Sequence, residues 1–195
     1  EGGGTDVGRL RAITATRAAL EDEVVRNGGW AAWIERTAAY REDLRELRLR
    51  AQTSKDKNYS VQVKNGLWVR SGYLMGLCEP IGLTDVEPLS IARSRAVVDS
   101  IVGFRDHLAK MGTSFIFVPT PVRTMVYPEL ISDNAPGAGV HPDPYIRAIL
   151  SDLLAADIEV IDLYAEMLAA KEAGGEELLY YRNDPHYRSS GKRVV

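Results

Sequence analysis

The chain has one cysteine, three histidines and no long apolar run, and each shortage removes a class of protein. A lone Cys78 excludes an internal disulfide framework and a cysteine-rich metal site. It reads as a small buried apolar residue, the alternative being a disulfide whose partner lies beyond Val195. No apolar stretch nears the roughly 18 residues of a membrane span, and no signal peptide opens the sequence. Because the chain begins without Met, the missing signal leaves localisation open. A net charge of −3 gives no general attraction to nucleic acid, and no basic cluster is interleaved with stacking aromatics. No nucleic-acid partner is expected. The longest basic stretch, Arg41 to Arg50, is interrupted by Glu42, Asp43 and Glu46, so it reads as a solvated, ion-paired helix face. At 195 residues and 45% hydrophobic, the chain fits one domain with a sizeable core, or one domain with a helical appendage.

What is present falls into two parts, 1–58 and 59–195. Leu10, Ile13, Leu20, Val24 and Val25 recur at helical spacing up to Asn27-Gly28-Gly29, and Trp30 to Arg50 reads as a second long helix. Polar residues Gln52 to Asn58 then make the boundary. Tyr59, Val61 and Val63 alternate with polar residues up to Asn65-Gly66, after which Leu67, Trp68 and Val69 follow. That is a hairpin signal, because Asn and Gly tolerate the positive φ of a type I′ turn. Leu89 to Met111 is helical by pattern and Gly112 caps it. Phe115 to Val118, Ile158 to Leu163 and Leu178 to Tyr181 read as short buried strands, separated by helices at Tyr145 to Ala156 and Tyr164 to Ala173. Alternating helices and strands imply an α/β fold with a parallel-rich sheet flanked by helices, and reactive groups beyond the carboxyl ends of its strands. Those ends are Val118 to Pro121, Asp162 and Asn183 to His186.

The last of these ends carries the chemistry. In Tyr180-Tyr181-Arg182-Asn183-Asp184-Pro185-His186-Tyr187 a carboxylate precedes an imidazole by two residues. A neutral imidazole takes a proton from a hydroxyl most readily when a carboxylate fixes its tautomer and stabilises the cation that forms. Asp184 and His186 are therefore the candidate orienting acid and base; the bland alternative is a turn or helix cap with an incidental histidine. No serine obviously serves them. Ser114 precedes the core strand, at the wrong end of the sheet. Ser189 reads as a helix N-cap, with Ser190 beside it. Ser71, after the hairpin, is the least unfavourable. None lies on the sharp strand-to-helix elbow that an exposed nucleophile requires. Arg123, on the loop after the core strand, offers a planar fork of donors for a uronate or an acetyl oxygen, or else a surface ion pair. Tyr127 is a substrate-binding candidate that reads more naturally as packing at a Tyr-Pro turn. His141 and Asp143, with Asp184 and His186, form a possible zinc or manganese set. The spacing does not demand it, Pro142-Asp143-Pro144 suits a helix start, and no metal or cofactor is expected.

From about Val61 to Val195 the sequence resembles the alginate O-acetyltransferase family of AlgX/AlgJ type, the acetyl-transferring branch of the SGNH-hydrolase-like fold. The blocks are Lys64 to Val69, Leu108 through Pro121 to Glu129, Ile158 to Leu163, and Tyr180 to Tyr187 ending in Gly191, in the family's order. The resemblance implies Ser-His-Asp acyl transfer to an exported, alginate-like polysaccharide. Asp184 would orient and His186 act as base, with the serine downstream of Val195 and the α/β domain continuing there. It implies a periplasmic or extracellular location, an acetyl donor supplied by a membrane acyltransferase partner, and any membrane anchor in a segment absent from this chain. The chain departs from the pattern at Tyr187, where Trp is usual, at Arg123, where Lys is common, and in having no serine block after Gly191. A secreted carbohydrate O-acetyl esterase, or a non-catalytic polysaccharide-binding or assembly protein, are the alternatives.

Overall fold

The computed structural model describes residues 15–54, 60–71, 74, 91–174, 177–183 and 186–194, with the side chains of 91–95 left aside. Cys78 and Asp184 lie outside the described residues. Helix α1 (Arg17–Arg26) begins at Thr16, whose hydroxyl accepts a hydrogen bond from the Ala19 amide. It ends at Asn27 and Gly28, the latter at φ 80°, a conformation that glycine adopts without strain. The long helix expected from Trp30 to Arg50 is two, α2 (Trp30–Arg36) and α3 (Ala38–Thr53). Thr37 separates them, its buried hydroxyl bonding back to the carbonyls of Trp33 and Ile34. That competition for local carbonyls is the known tendency of threonine inside helices.

Strands β1 (Ser60–Gln62) and β2 (Trp68–Arg70) form the antiparallel hairpin anticipated at Asn65-Gly66. Asn65 (φ 55°) and Gly66 (φ 71°) both take positive φ, as a type I′ turn requires. Its inner residues Val61, Leu67 and Val69 pack with Tyr40, Leu44, Leu47 and Ala51 of α3 in one core cluster.

Helix α4 (Ile91–Lys110) leads through Gly112, at φ 73°, into β3 (Ile116–Phe117). β3 pairs in parallel with β4 (Glu159–Val160), which follows α6 (Pro144–Ala155). Between them lies the short α5 (Arg123–Val126), and α7 (Tyr164–Ala173) follows β4. Leu20 of α1, Val98 of α4, Leu150 and Leu153 of α6, and Ile158 and Val160 form a second core cluster. The free edge of β4 is met by the Ala15 amide, 2.8 Å from the Val160 carbonyl. The described sheets are thus two-stranded, one antiparallel and one parallel. The strand expected at Leu178 to Tyr181 does not join the parallel pair; Tyr180 makes an isolated antiparallel bridge to Tyr187 instead. Helix α8 (Ser189–Lys192) closes the described chain, with Arg188 rather than Ser189 at its N-cap.

Candidate active site

The Tyr180–Tyr187 bridge sets His186 beside Tyr181. The Tyr181 amide donates to the His186 carbonyl at 3.1 Å, and the Arg188 amide to the Leu179 carbonyl at 2.8 Å. Both tyrosine hydroxyls then donate to one acceptor, the Pro121 carbonyl on the loop after β3, at 2.7 Å from Tyr180 and 2.8 Å from Tyr187. Burial raises the pKa of each phenol, so both stay protonated donors at neutral pH. The rings lie 4.8 Å apart. This clamp holds the His186 loop against the carboxyl end of β3.

Behind the loop, Gly191 sits where a side chain requires the backbone to shift: a Cβ there would lie 2.4 Å from the Leu179 carbonyl oxygen. On the other side the hairpin is tied in, the Trp68 amide donating to the Arg182 carbonyl at 3.0 Å. Arg123 secures the same junction. It is buried, and Nη1 donates to the Trp68 carbonyl at 2.9 Å and to the Arg182 carbonyl at 3.2 Å. Its guanidinium lies 5.9 Å from the Tyr180 ring centroid.

These ties enclose a cavity of about 170 Å³ lined by Trp68, Arg70, Thr120, Pro121, Arg123, Thr124, Tyr180, His186 and Tyr187, among others. His186 is exposed at its edge. Thr124 is buried, and its hydroxyl has no hydrogen-bond partner among the described residues. No serine is among the described lining residues. Ser114 and Ser189 are exposed, Ser71 and Ser190 half-buried. Tyr127 lies away from this cavity, buried, its hydroxyl accepting from the Leu179 amide at 3.1 Å and its ring 4.8 Å from Lys171 Nζ. It braces the segment that leads to Tyr180.

His141 and Asp143 take up a different place. The Asp143 carboxylate caps α6, accepting from the Tyr145 and Ile146 amides at 3.0 and 3.2 Å, so Pro142-Asp143-Pro144 does open a helix. Burial pushes its pKa up to about 7. His141 is buried behind it. No group of three or more His, Cys, Asp or Glu among the described residues is arranged to hold a metal.

The residues that sequence reasoning passed over are the clamp tyrosines, as a pair, and Trp68 and Arg70 on the cavity wall. A signal for the clamp was present: identical phenols at both ends of the Asp-Pro-His loop, Tyr180 and Tyr187.

The sequence model of the SGNH hydrolase-like domain of acetyltransferase AlgX matches residues 84–195, more than half of the chain. The chain belongs to this family. The hairpin residues Lys64 to Val69 precede the matched region. A curated relative, the probable alginate O-acetylase AlgJ of Pseudomonas syringae pv. tomato, is 36% identical over 95 residues, which are 49% of this chain and 23% of the relative. The chain thus spans about a quarter of that relative's length. No solved structure matches significantly.

Proposed function

We propose that this domain supplies the base of an acyltransfer site that O-acetylates a polysaccharide hydroxyl. His186, oriented by Asp184, takes the proton from a serine that residues outside this sequence contribute. The serine oxygen attacks the carbonyl of an acetyl donor; the acetyl-serine forms and the donor's leaving group takes the proton back. An acceptor hydroxyl, deprotonated by the same imidazole, then attacks the acetyl-serine; the serine oxygen leaves, takes that proton back from the imidazolium, and the acetyl group departs as an ester of the acceptor. Asp184 keeps the imidazole in the tautomer that accepts from a hydroxyl. Trp68 gives the acceptor's ring an apolar face, and Arg123 and Arg70 provide positive charge for an acetyl oxygen or a uronate. The setting consistent with this is the periplasm or the cell exterior, with the acetyl group delivered by a membrane acyltransferase partner.

The observation that carries the reading is the clamp. Two phenols and one guanidinium, all from the segments that resemble the family's motifs, fasten the His186 loop to the carboxyl end of β3 and leave a cavity with His186 at its edge. The name of the relative, an alginate O-acetylase, points to acetyl esters of a sugar polymer.

The test uses the full-length natural protein, an activated acetyl ester and an oligosaccharide acceptor, with mass spectrometry for acetylated sugar. His186→Ala is expected to lower transfer about 10²–10⁴-fold, the range for loss of a general base. Wild-type-like activity in that variant sinks the assignment of His186. Acetate release with no acetylated sugar sinks transfer in favour of ester hydrolysis.

A further inference from the structure

A second cavity, of about 220 Å³, adjoins the first, and Thr120 and Pro121 line both. Its walls are apolar: Phe117, Pro119, Met125, Ile146 and Leu150. Its polar end is built from four side chains that come together from separate segments, His141, Arg147, Asp162 and Tyr164.

Each of these is held in a defined state. Arg147 is buried and divided between two carboxylates: Nε donates to Glu23 at 2.8 Å, and Nη1 is paired with Asp162. Asp162 also accepts from the Tyr164 amide at 3.0 Å. A carboxylate has about four acceptor sites, so Asp162 retains capacity for a ligand hydroxyl. His141 is 3% exposed and tilted against Tyr164, with ring centroids 4.1 Å apart. Its Nδ1 accepts from the Asp143 amide at 3.0 Å, so the ring proton sits on Nε2. Its carbonyl is pinned by Trp33 Nε1 at 3.0 Å, which fixes the loop. Nε2–H is thus a donor on a ring that lines the cavity. Burial and the neighbouring Arg147 hold the imidazole pKa well below its usual value, so this donor is neutral.

The charges decide what kind of ligand suits the space. The lining carries one carboxylate and one guanidinium, and that guanidinium is already shared with Glu23. A ligand carboxylate or phosphate finds no uncommitted cation here, and it meets Asp162 at close range. A cation finds Asp162 turned to Arg147 and a histidine that donates. A hydroxyl fits both groups, accepting from His141 and donating to Asp162, with the ring's apolar face against Met125, Ile146 and Leu150.

We propose that this second cavity is a subsite for an uncharged, hydroxyl-bearing ring, a neutral sugar unit, bound by His141 Nε2–H and the Asp162 carboxylate. It stands apart from acetyl transfer, because binding is read without catalysis. A protein that binds sugar here and transfers nothing loses the proposed reaction alone.

The experiment is a chemical-shift titration of the whole protein with mannobiose, and in parallel with dimannuronate, the same rings bearing carboxylates. Mannobiose is expected to shift the methyl signals of Met125, Ile146 and Leu150 and to bind about tenfold more tightly than the uronate, the ratio that a single uncompensated charge repulsion readily produces. His141→Phe keeps the aromatic ring and removes the donor; mannobiose binding should weaken about tenfold. Should that variant fail to fold, the comparison of the two sugars on the wild type decides alone. Equal or tighter uronate binding overturns the proposal. So do shifts confined to Trp68, Tyr180 and Tyr187, and so does the absence of any shift with either sugar.

Discussion

The two adjoining cavities share a wall and are held by different forces. Around His186 the fastenings are neutral phenols and one guanidinium on backbone carbonyls: Tyr180 and Tyr187 on Pro121, Arg123 on Trp68 and Arg182. Around His141 they are buried charges drawn from three places in the chain, Glu23, Arg147 and Asp162. The first arrangement sets the position of a loop without depending on ionisation below the range of phenols. The second ties α1, α6 and the end of β4 into one unit, and it fails as a whole if a charge loses its partner. The first kind of support leaves His186 exposed at the edge of its cavity. A preformed polar pocket suits the second.

That contrast is best broken at Arg147. Arg147→Met leaves the carboxylates of Glu23 and Asp162 largely buried and unpaired, and is expected to cost about 3–5 kcal/mol in urea unfolding. A loss near zero would mean that the network is not a support. Gly191→Ala is next. The added methyl collides with the Leu179 carbonyl oxygen, so α8 and the loop must shift, at about 1–3 kcal/mol. Its diagnostic is a larger fall in transfer than in stability, because the displacement falls on His186. Tyr187→Phe removes one of the two phenols from the Pro121 carbonyl and should cost about 1 kcal/mol, the Tyr180 bond remaining. A double variant with Tyr180→Phe should exceed the sum of the single effects if the pair acts as a clamp.

The smallest effect is the pH dependence, and it belongs to the second region alone. Asp143 has its pKa raised by burial to about 7 in the folded chain. Between the ordinary carboxylate value and about 7 the folded state therefore holds a proton that the unfolded state lacks, and this contribution to stability is lost as pH rises through about 7. His141 acts in the opposite sense. Its folded pKa lies well below 6.5, so the unfolded state binds the extra proton and stability is lost as pH falls below 6.5. The two slopes oppose each other. Asp143→Asn, which keeps a capping oxygen, should unmask the histidine: unfolding midpoints measured at pH 5 and pH 8 should then favour pH 8 more strongly than in the wild type. An unchanged difference would remove Asp143 from the account.

How far these features could be read beforehand follows from where their causes lie. The hairpin was legible because Asn65 and Gly66 satisfy a local demand for positive φ. Helix α7 was legible over its full span, since Tyr164 to Ala173 is bounded by short-range signals. The break at Thr37 was not, although its cause is local: whether a threonine hydroxyl turns back onto the helix carbonyls depends on the burial around it. Leu178 to Tyr181 had the composition of a core strand and became the arm of a small bridge, because Tyr180 found Tyr187 and Pro121 rather than β4. The pair Asp184 and His186 stood out by spacing and resemblance, while Arg123 and Tyr127 were legible only as residues of interest. That Arg123 would bind two carbonyls, and Tyr127 the Leu179 amide, required knowing which segments meet.

Read along the chain, short-range chemistry specified the turns, most helix ends, the two parallel strands and the motif that identifies the family. Those depend on φ preferences, capping and periodicity, all properties of neighbouring residues. The meeting of Glu23 with Arg147, of Tyr187 with Pro121, and of His141 with Tyr164 depends on contacts between residues far apart in sequence. Such contacts form only when packing brings their segments together. Two cavities side by side, one with an exposed imidazole at its edge and one with its charges paired, are a consequence of that packing.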